Sequence, residues 1–389
     1  MFRREQYRNR FGQRLWIVMG SCLVLALSSG CLGCVPNGVW LPDSSGYVYT
    51  AGKEGKQIMM VDIGRRQARV VVQNTGAATA VPAISPDGKQ IAIAQHMVRP
   101  DEDNQVQVIV YDVAGKEVER SEKLSLDEKG SKEQQPKLHP EVYWAPQGDR
   151  LLLLAGNLPG IYDLKKKTLT KLPDLRPMII GNSLSRPDGK GFLLGGGSIH
   201  FVSWNGEDRE LKLTNFKLHD GRDQNLAAMI LYPQIYNTRW DGDVALIRWS
   251  TRQVRIDTNK LEATLEEVAE QRTADRKPIQ QTFALGKEGP FIRVAELVAR
   301  NFEGKTEDRP DGGYGQFRVE LIKRGEATPQ VLVDQFEGCA QLLPSPNRKL
   351  VAIECGVSPL QKKTKPRRLI ILVNAQGEVV AEIDGLKTH

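Results

Sequence analysis

The sequence predicts an all-β protein, built as a seven-bladed β-propeller, from one turn motif and the apolar strand that follows it. The motif is Ser85-Pro86-Asp87-Gly88-Lys89, and the strand is the run Gln90-Ile91-Ala92-Ile93-Ala94. Pro86 fixes φ for the second position of a turn, Asp87 can accept hydrogen bonds from nearby amides, and Gly88 tolerates the left-handed backbone of a hairpin. One such turn is weak support, so the prediction depends on its recurrence.

The turn recurs along the chain. Positions 43, 87, 147, 188, 241, 287 and 347 are equivalent, so successive copies lie 44, 60, 41, 53, 46 and 60 residues apart. Spacings of about 40–50 residues, each holding four short strands, indicate a propeller, and the longer intervals would hold loop insertions. The copy at 286–289 is the poorest, which leaves six blades as the alternative. The turn residues that define the repeat are Asp43, Asp87, Gly88, Gly148, Asp188, Gly189, Asp241, Gly242 and Asn347.

The segments between the turns are typical of strands. They are runs of four to eight apolar or β-branched residues bounded by Gly, Pro, Asp and Asn. The first blade is expected to start near Val39 and the last to end near Ile383. Around the poorest turn, four strands are still predicted, at 281–285, 291–294, 316–321 and 330–333. The segment 260–272 has helical spacing where a blade needs its outer strand, so helix and strand both stay open.

These residues resemble a known family. The sequence Ser-Pro-Asp-Gly-Lys before an apolar strand, followed by a strand that ends in Tyr111-Asp112, is similar to the WD40-like or TolB-like propeller repeat. The resemblance covers residues from about 39 to the end of the chain. It implies the propeller fold and an envelope partner such as a peptidoglycan-associated lipoprotein. The TolB family also carries an α/β domain before its propeller, whereas in this sequence a short tether is expected to precede the first blade.

The N-terminal 30 residues are expected to be a lipoprotein signal peptide. Five arginines precede an uncharged, mostly apolar run of 13 residues, from Leu15 to Leu27, which is the length of a signal-peptide core. The following Leu27-Ser28-Ser29-Gly30-Cys31 resembles a bacterial lipobox, so Cys31 is the predicted lipidation site. An ordinary secretory signal is the alternative. Residues 31–38 would then be the lipidated tether and 39–389 the propeller. The protein is expected in the bacterial cell envelope, anchored in the outer membrane and facing the periplasm.

The charge does not favour nucleic-acid binding. The chain holds 54 basic and 47 acidic residues, and residues 1–30 hold 5 and 1 of these, which leaves 49 against 46, or +3, after cleavage. A nucleic-acid site needs a concentrated basic surface. No nucleophile elbow, phosphate-binding loop or zinc motif occurs, so no cofactor, metal ligand or catalytic residue is predicted. The five histidines have no partner set near in sequence that suggests catalysis.

Two cysteines of the last blade are predicted to form a disulfide. Cys339 and Cys355 are equally far from Asn347, at the centre of the last turn, so they would face each other across the first hairpin. Their context after export is oxidising. A register shift of one residue would instead leave two buried thiols on opposite faces.

The function predicted from the sequence is that of a non-catalytic, membrane-anchored binding scaffold. Its strands are regular and apolar, whereas the loops at 122–139 and 357–368 are long and charged. A rigid scaffold with variable loops is typical of a recognition surface for proteins. The alternative is a propeller enzyme, a lyase or a lactonase-like hydrolase, whose site is assembled in the central channel without a linear motif.

Overall fold

The computed structural model describes residues 38–52, 55–76, 81–97, 105–125, 140–155, 158–172, 176–178, 185–195, 198–216, 218–219, 222–223, 237–249, 252–267, 280–285, 290–296, 316–323, 325–326, 328–337, 340–357 and 367–384. These residues form strands and turns. Within these ranges no helix is long and apolar enough to cross a membrane. The predicted signal peptide, Cys31 and most of the tether lie outside them, as do most of the 122–139 and 357–368 loops.

The chain divides into two compact units, an N-terminal unit over Asn37–Arg276 and a C-terminal unit over Lys277–Leu386. The described residues of the N-terminal unit form five sheets that each contain four antiparallel strands in chain order. Sheet 1 has strands β1 Gly38–Trp40, β2 Gly46–Ala51, β3 Gln57–Asp62 and β4 Gln67–Val72. Sheet 2 has β5 Ala83–Ile84, β6 Gln90–Met97, β7 Gln105–Asp112 and β8 Glu117–Arg120, and the short β9 Leu124–Ser125 also pairs with β7. Sheet 3 has β10 Glu141–Trp144, β11 Arg150–Ala155, β12 Leu158–Asp163 and β13 Thr168–Lys171.

The segment that follows the fourth sheet of this unit contributes a strand to the fifth sheet. Sheet 4 has β14 Arg176–Met178, β15 Gly191–Gly195, β16 Ile199–Ser203 and β17 Asp208–Glu210. After it come β18 Lys212–Thr214 and the small ribbon of β19 Leu218–His219 and β20 Arg222–Asp223. Sheet 5 has β21 Asn237–Asp241, β22 Val244–Trp249, β23 Arg252–Asp257 and β24 Glu262–Glu267. β18 pairs in parallel with β24, so the chain leaving sheet 4 covers the outer edge of sheet 5.

The C-terminal unit repeats the same pattern twice. Sheet 6 has β25 Gln280–Ala284, β26 Phe291–Glu296, β27 Gln316–Ile322 and β28 Gln330–Glu337. Sheet 7 has β29 Ala340–Pro344, β30 Leu350–Val357, β31 Arg367–Asn374 and β32 Val379–Asp384. The four strands expected around the poorest turn are therefore present as sheet 6, and residues 262–267 are a strand rather than a helix.

The alternation of side chains explains why the central strands are apolar at nearly every position. In β11, Leu151 and Leu153 pack with sheet 2, whereas Leu152 and Leu154 pack with sheet 4. A strand buried on both faces shows no polar alternation, because successive side chains point to opposite faces and both enter a core. Burying each leucine contributes about 1.5–3 kcal/mol.

The same packing runs through each unit. Mixed apolar cores join sheet 1 to sheet 2, sheet 2 to sheet 3, sheet 3 to sheet 4, and sheet 4 to sheet 5. Another joins sheet 6 to sheet 7 in the C-terminal unit. The described residues thus form seven sheets with four strands in the order of a propeller blade, in line with the seven blades predicted.

Candidate functional site

The loop between the first and second strands of a sheet, here called its corner, has a repeated backbone structure. In corner 2, the Gly88 amide donates to the Ser85 carbonyl at 2.8 Å, and the Ser85 amide donates to the Gln90 carbonyl at 2.9 Å. The same two hydrogen bonds close corner 1 (41–46), corner 3 (145–150), corner 4 (186–191) and corner 7 (345–350). The fourth residue of each corner is left-handed, and these residues are Ser44, Gly88, Gly148, Gly189 and Arg348.

The Ser-Pro-Asp sequence adds a side-chain network to this backbone. The Ser85 hydroxyl donates to Asp87 Oδ1 at 2.6 Å and accepts from the Gln90 amide at 2.9 Å. The Lys89 amide also donates to Asp87 Oδ1, at 3.1 Å. Corner 7 has the same network, with Ser345 and Asn347 in the equivalent places. Ser85 is only 3% exposed, and its hydroxyl gives the partly buried Gln90 amide a hydrogen-bond acceptor.

Corner 1 and corner 4 satisfy their aspartates differently. Asp43 Oδ1 accepts from both the amide and the hydroxyl of Ser45, at 2.9 and 2.7 Å. In corner 4, Arg186 replaces the buried serine and donates through Nε to Asp188 Oδ1 at 2.7 Å, with a second, closer contact between the same two groups.

The Arg186 guanidinium also joins sheet 4 to sheet 5. Its Nη1 donates to Thr258 Oγ1 at 3.1 Å and to Asn259 Oδ1 at 2.8 Å. The guanidinium lies 5.6 Å from the centre of the Phe201 ring, and Arg186 is only 6% exposed. Sequence reasoning missed this residue, because its partners come from a segment about 70 residues further along the chain.

Corner 5 differs from the expected form. Asp241 pairs with Val244, so Gly242 and Asp243 alone make a two-residue turn. Asp241 belongs to strand β21. Asp243 makes the hydrogen bonds of this corner, because its carbonyl accepts from both the amide and the hydroxyl of Thr258. The corner predicted around 286–289 lies outside the described residues, although the Leu285 amide donates to the Pro290 carbonyl at 2.9 Å, as in the other corners.

Corners 1 to 4 of the N-terminal unit lie next to one another in sequence order, and corner 5 borders the same cavity as corner 4. We call corners 1 to 5 the corner row. A Cβ placed on Gly88 would lie 3.4 Å from Pro42, one on Gly148 would lie 3.7 Å from Pro86, and one on Gly189 would lie 3.1 Å from Pro146. Between corners 4 and 5 there is a surface cavity of about 430 Å³, lined by Arg186, Pro187, Asp188, Gly242 and Asp243. A second cavity, of about 350 Å³, opens beside corner 3.

Three aspartates of the row, Asp43, Asp87 and Asp188, have lowered pKa values. Hydrogen bonds from the Ser45 amide and hydroxyl lower the pKa of Asp43, and those from the Ser85 hydroxyl and Lys89 amide lower the pKa of Asp87. The Arg186 guanidinium holds the pKa of Asp188 well below its usual range.

A second repeated turn joins the third and fourth strands of several sheets. Asp163 Oδ1 accepts from the amides of Lys165 and Lys166, and Asp112 Oδ1 accepts from those of Ala114 and Lys116. Asp62, Asp257 and Asn374 accept in the same way in sheets 1, 5 and 7. The Tyr-Asp strand ends of the sequence are the first halves of these turns.

The register of sheet 7 corrects the argument for a disulfide. Cys355 stands directly opposite Ala340, not opposite Cys339, so the symmetry about Asn347 is wrong by one residue. Pro344 pairs with Val351, which moves the centre of the hairpin to between residues 347 and 348. Cys355 is a free thiol, 1% exposed, and its burial raises its pKa to about 12. The structure therefore gives the predicted Cys339–Cys355 disulfide no support, and Cys339 itself lies outside the described residues.

One histidine has hydrogen-bond partners that the sequence analysis did not predict. His200 hydrogen-bonds Ser198 and Asp208 in sheet 4. The side chains of His96, His139, His219 and His389 lie outside the described part of the chain. Within that part, no three His, Cys, Asp or Glu side chains gather in a way that would hold a metal ion.

No protein-family model matches the chain, and no curated protein matches it either. Among solved structures, it is similar to TolB from Acinetobacter baumannii, with 14% identity over 88% of this chain and 67% of that one, at a TM-score of 0.37. The dihydro-heme d1 dehydrogenase NirN is similar at 12% identity, over 91% of this chain and 66% of that one, with a TM-score of 0.44. The β-propeller domain of Swd1 from Myceliophteria thermophila is similar at 12% identity over 79% and 86%, with a TM-score of 0.37.

These similarities are too distant to add to the argument, so the fold assignment rests on the sheets. Successive sheets of four antiparallel strands in chain order are the architecture of propeller blades. The protein is an all-β protein that resembles the TolB-like and WD40-like propellers.

Proposed function

We propose that this protein is a membrane-anchored scaffold of the bacterial cell envelope, and that the corner row binds a protein partner. The observation that carries the proposal is the close approach of consecutive corners from corner 1 to corner 4, where the Gln147 side chain of corner 3 also donates to the Gly189 carbonyl of corner 4 at 3.4 Å. Corners 1 to 4 are each closed by their own backbone hydrogen bonds, so this part of the row is ordered before any partner arrives. A preordered surface loses little conformational entropy on binding, which favours recognition.

The exposed residues of the row support a protein partner rather than a small ligand. The tips present Pro42, Asp43, Pro86, Asp87 and Lys89, all exposed, and corners 3 and 4 continue with Pro146, Gln147, Pro187 and Lys190. The two cavities beside the row are shallow surface features rather than enclosed pockets. An extended polar surface with a few fixed side chains suits the edge of another protein.

The charge of the row favours a basic partner segment. Corners 1 to 5 contain six aspartates against Lys89, Arg150, Arg186 and Lys190, a balance of 6 − 4, or two net negative charges. Arg186 is buried, and Arg150 donates to Asn205 and the Trp204 carbonyl. Because the pKa values of Asp43, Asp87 and Asp188 are lowered, these carboxylates stay charged in mild acid. Binding should therefore weaken as salt is added.

The anchor belongs to the same proposal. A thioether-linked diacylglycerol on Cys31 would hold the scaffold at the outer membrane, since two or three acyl chains anchor stably where one does not. Mass spectrometry of the mature N-terminus should find a lipidated Cys31, and Cys31→Ser should release the protein from membranes. An unmodified N-terminus downstream of Cys31 would contradict the anchor without affecting the corner row.

The binding surface is tested by affinity capture from solubilised envelopes. The double variant Asp43→Asn/Asp87→Asn should lose captured proteins that the parent retains, and the loss should match the effect of raised salt. The matched control is Glu207→Gln/Glu326→Gln, which removes the same charge at two exposed sites outside the row.

Two loop deletions complete the capture experiment. Shortening 122–139 or 357–368 tests the charged insertions that the sequence analysis singled out as recognition loops. If the corner variant and both deletions capture the same proteins as the parent, the scaffold proposal is wrong. If only a deletion changes the set, the partner binds through that loop and the role of the corner row is wrong.

A further inference from the structure

Three side chains of sheet 4 form a hydrogen-bonded series. Ser198 Oγ lies 2.7 Å from His200 Nε2, and His200 Nδ1 lies 2.8 Å from Asp208 Oδ1. Ser198 directly precedes β16 and His200 is the second residue of that strand, so the two side chains, two residues apart, lie on the same side of the chain. Asp208 begins the neighbouring strand β17, where it pairs with Val202 and so lies diagonal to His200.

The chemistry of the two outer groups fixes the direction of the bonds. A carboxylate can only accept, so His200 Nδ1 carries the proton that is shared with Asp208. In the neutral imidazole, Nε2 then has a free electron pair that faces the Ser198 hydroxyl. The side chain of His200 is 12% exposed and that of Asp208 26% exposed. Leu194, which is buried, stands directly opposite His200 in the neighbouring strand β15.

We propose that Ser198 is a nucleophile for acyl transfer, with His200 as its general base and Asp208 as the positioning residue. A serine hydroxyl is weak until an adjacent base removes its proton and a third group orients that base, which is the arrangement present here. The proposal is separate from the scaffold function, because the corner row and these three residues share no side chain.

The proposed reaction is ester hydrolysis in two balanced steps. Ser198 Oγ attacks the carbonyl carbon of the ester while His200 Nε2 takes the hydroxyl proton. The bond from that carbon to the alcohol oxygen then breaks, and the alcohol leaves with the proton from His200. Water attacks the acyl-serine in the same way, which releases the carboxylic acid and restores Ser198. The sum is ester plus water giving acid plus alcohol.

The surrounding charges define the class of ester. Glu210 stands directly opposite His200 in β17, and Asp208 points to the same face. Two carboxylates beside the base of the nucleophile repel an anionic acyl group and accept a neutral or cationic one. The substrate class is therefore a small neutral or cationic ester.

The first experiment uses the mature, folded protein with two probes, a fluorophosphonate and p-nitrophenyl acetate. The fluorophosphonate should label Ser198, as identified by peptide mass spectrometry, and Ser198→Ala should lose that label. The matched control is Ser203→Ala, since the Ser203 hydroxyl accepts from the Asn205 and Glu207 amides, at 3.3 and 3.2 Å, without a histidine among its described partners. Ser203→Ala should be labelled like the parent. No label on the folded parent, or a label that persists in Ser198→Ala, would overturn the proposal.

The second experiment separates the base from a structural role. His200→Gln should lower the rate of p-nitrophenyl acetate cleavage about 10²–10⁴-fold, the contribution of a positioned base. Asp208→Asn should lower it as well and change the imidazole ¹⁵N shifts that report the Nδ1 proton, whereas Asp208→Glu should restore part of both. Equal rates in the parent and in Asp208→Asn, at equal thermal midpoints, would refute the role of Asp208. Faster cleavage of a mono-succinyl ester than of the acetate would refute the substrate class.

Discussion

Corners 2 and 3 have the same backbone but different side-chain support. Both are closed by the same two backbone hydrogen bonds, and both have a left-handed glycine, Gly88 or Gly148. In corner 2, Ser85 and Asp87 add three side-chain hydrogen bonds, whereas corner 3 has Ala145 and Gln147 in those places. The comparison shows that proline and the left-handed residue are enough to set the turn. The Ser-Asp network adds stability to a turn that forms without it.

Corner 4 extends the comparison, because a buried arginine occupies the place of Ser85. Arg186 bonds Asp188 within its corner and also bonds Thr258 and Asn259 in sheet 5. Corner 2 is therefore a local structure, and corner 4 is both a corner and a link between sheets. Substitutions at these equivalent positions should have effects of different size.

The largest effect is expected from Arg186→Leu. The change removes hydrogen bonds to three residues and leaves the polar groups of Thr258 and Asn259 with one partner fewer. Loss of a buried charged partner costs several kcal/mol, but Asp188 is 38% exposed and can be hydrated, so we expect a loss of about 2–3 kcal/mol. Unfolding in denaturant measures this loss in the free energy of unfolding.

The control for this variant is Lys190→Ala. Its ammonium lies 3.3 Å from the same Asp188 carboxylate but is 71% exposed. Exposed ion pairs contribute about 0–1 kcal/mol, so the midpoint should hardly move. Equal losses for the two variants would mean that Arg186 contributes no more than a surface charge.

A smaller effect is expected from Ser85→Ala. The change removes two hydrogen bonds, including the one that the partly buried Gln90 amide donates, and should cost about 1–2 kcal/mol. Ser345→Ala in corner 7 should cost the same, because its hydroxyl makes the same two bonds.

The reverse change sharpens the comparison with corner 3. Ala145→Ser/Gln147→Asp copies the corner 2 network and should stabilise the protein by up to about 1 kcal/mol. The urea midpoints of unfolding measure both the loss of stability in Ser85→Ala and the gain in the double variant. A destabilised double variant would show that the corner 3 backbone does not accommodate the network.

The left-handed position gives a third test. Arg348 has φ of 57°, a conformation that glycine adopts freely and other residues adopt at a cost. Arg348→Gly should therefore stabilise the protein by about 0.5–1 kcal/mol, and Gly148→Ala should destabilise it by a similar amount. A Cβ on Gly148 would lie 3.7 Å from Pro86, an ordinary contact, so the effect of that change comes from the backbone alone. Two changes of the same sign would contradict this explanation.

The sequence predicted the sheets better than the contacts between them. Pro86, Asp87 and Gly88 form a turn through neighbours within five residues, so their role is visible in a short motif. The strand over 262–267 could not be distinguished from a helix, because it pairs with β23 on one side and with the distant β18 on the other. The disulfide argument was wrong by one residue because a hairpin centre cannot be fixed to a single residue from the turn sequence alone.

Most contacts of the candidate sites could not be predicted from the sequence. The bonds of Arg186 to Thr258 and Asn259 span 72 and 73 residues, so no local pattern reveals them. Ser198 and His200 are two residues apart, and Asp208 is eight residues further, in the next strand. The signal available in the sequence was a serine directly before a strand, a histidine two residues later within that strand, and an aspartate at the start of the next strand.

The smallest expected effect is a loss of stability in acid, which should occur in corner 2 but not in corner 7. The pKa of Asp87 is lowered in the folded protein, by the hydrogen bond from Ser85 first and that from the Lys89 amide second. A carboxyl with a depressed folded pKa contributes stability above its unfolded value of about 3.9, and this contribution is lost as the pH falls through the folded value. Corner 7 has Asn347 in that place, which does not titrate.

Hydrogen exchange at two equivalent amides measures this difference. The Gln90 amide donates to Ser85 Oγ, and the Leu350 amide donates to Ser345 Oγ, so each reports its own corner. Relative to the intrinsic rates, protection of Gln90 should fall between pH 5 and about pH 3, whereas that of Leu350 should stay level. Asp87→Asn should remove the pH dependence from corner 2, and Asn347→Asp should transfer it to corner 7. Equal pH dependence at the two amides in the parent would show that the Asp87 carboxylate does not stabilise its turn.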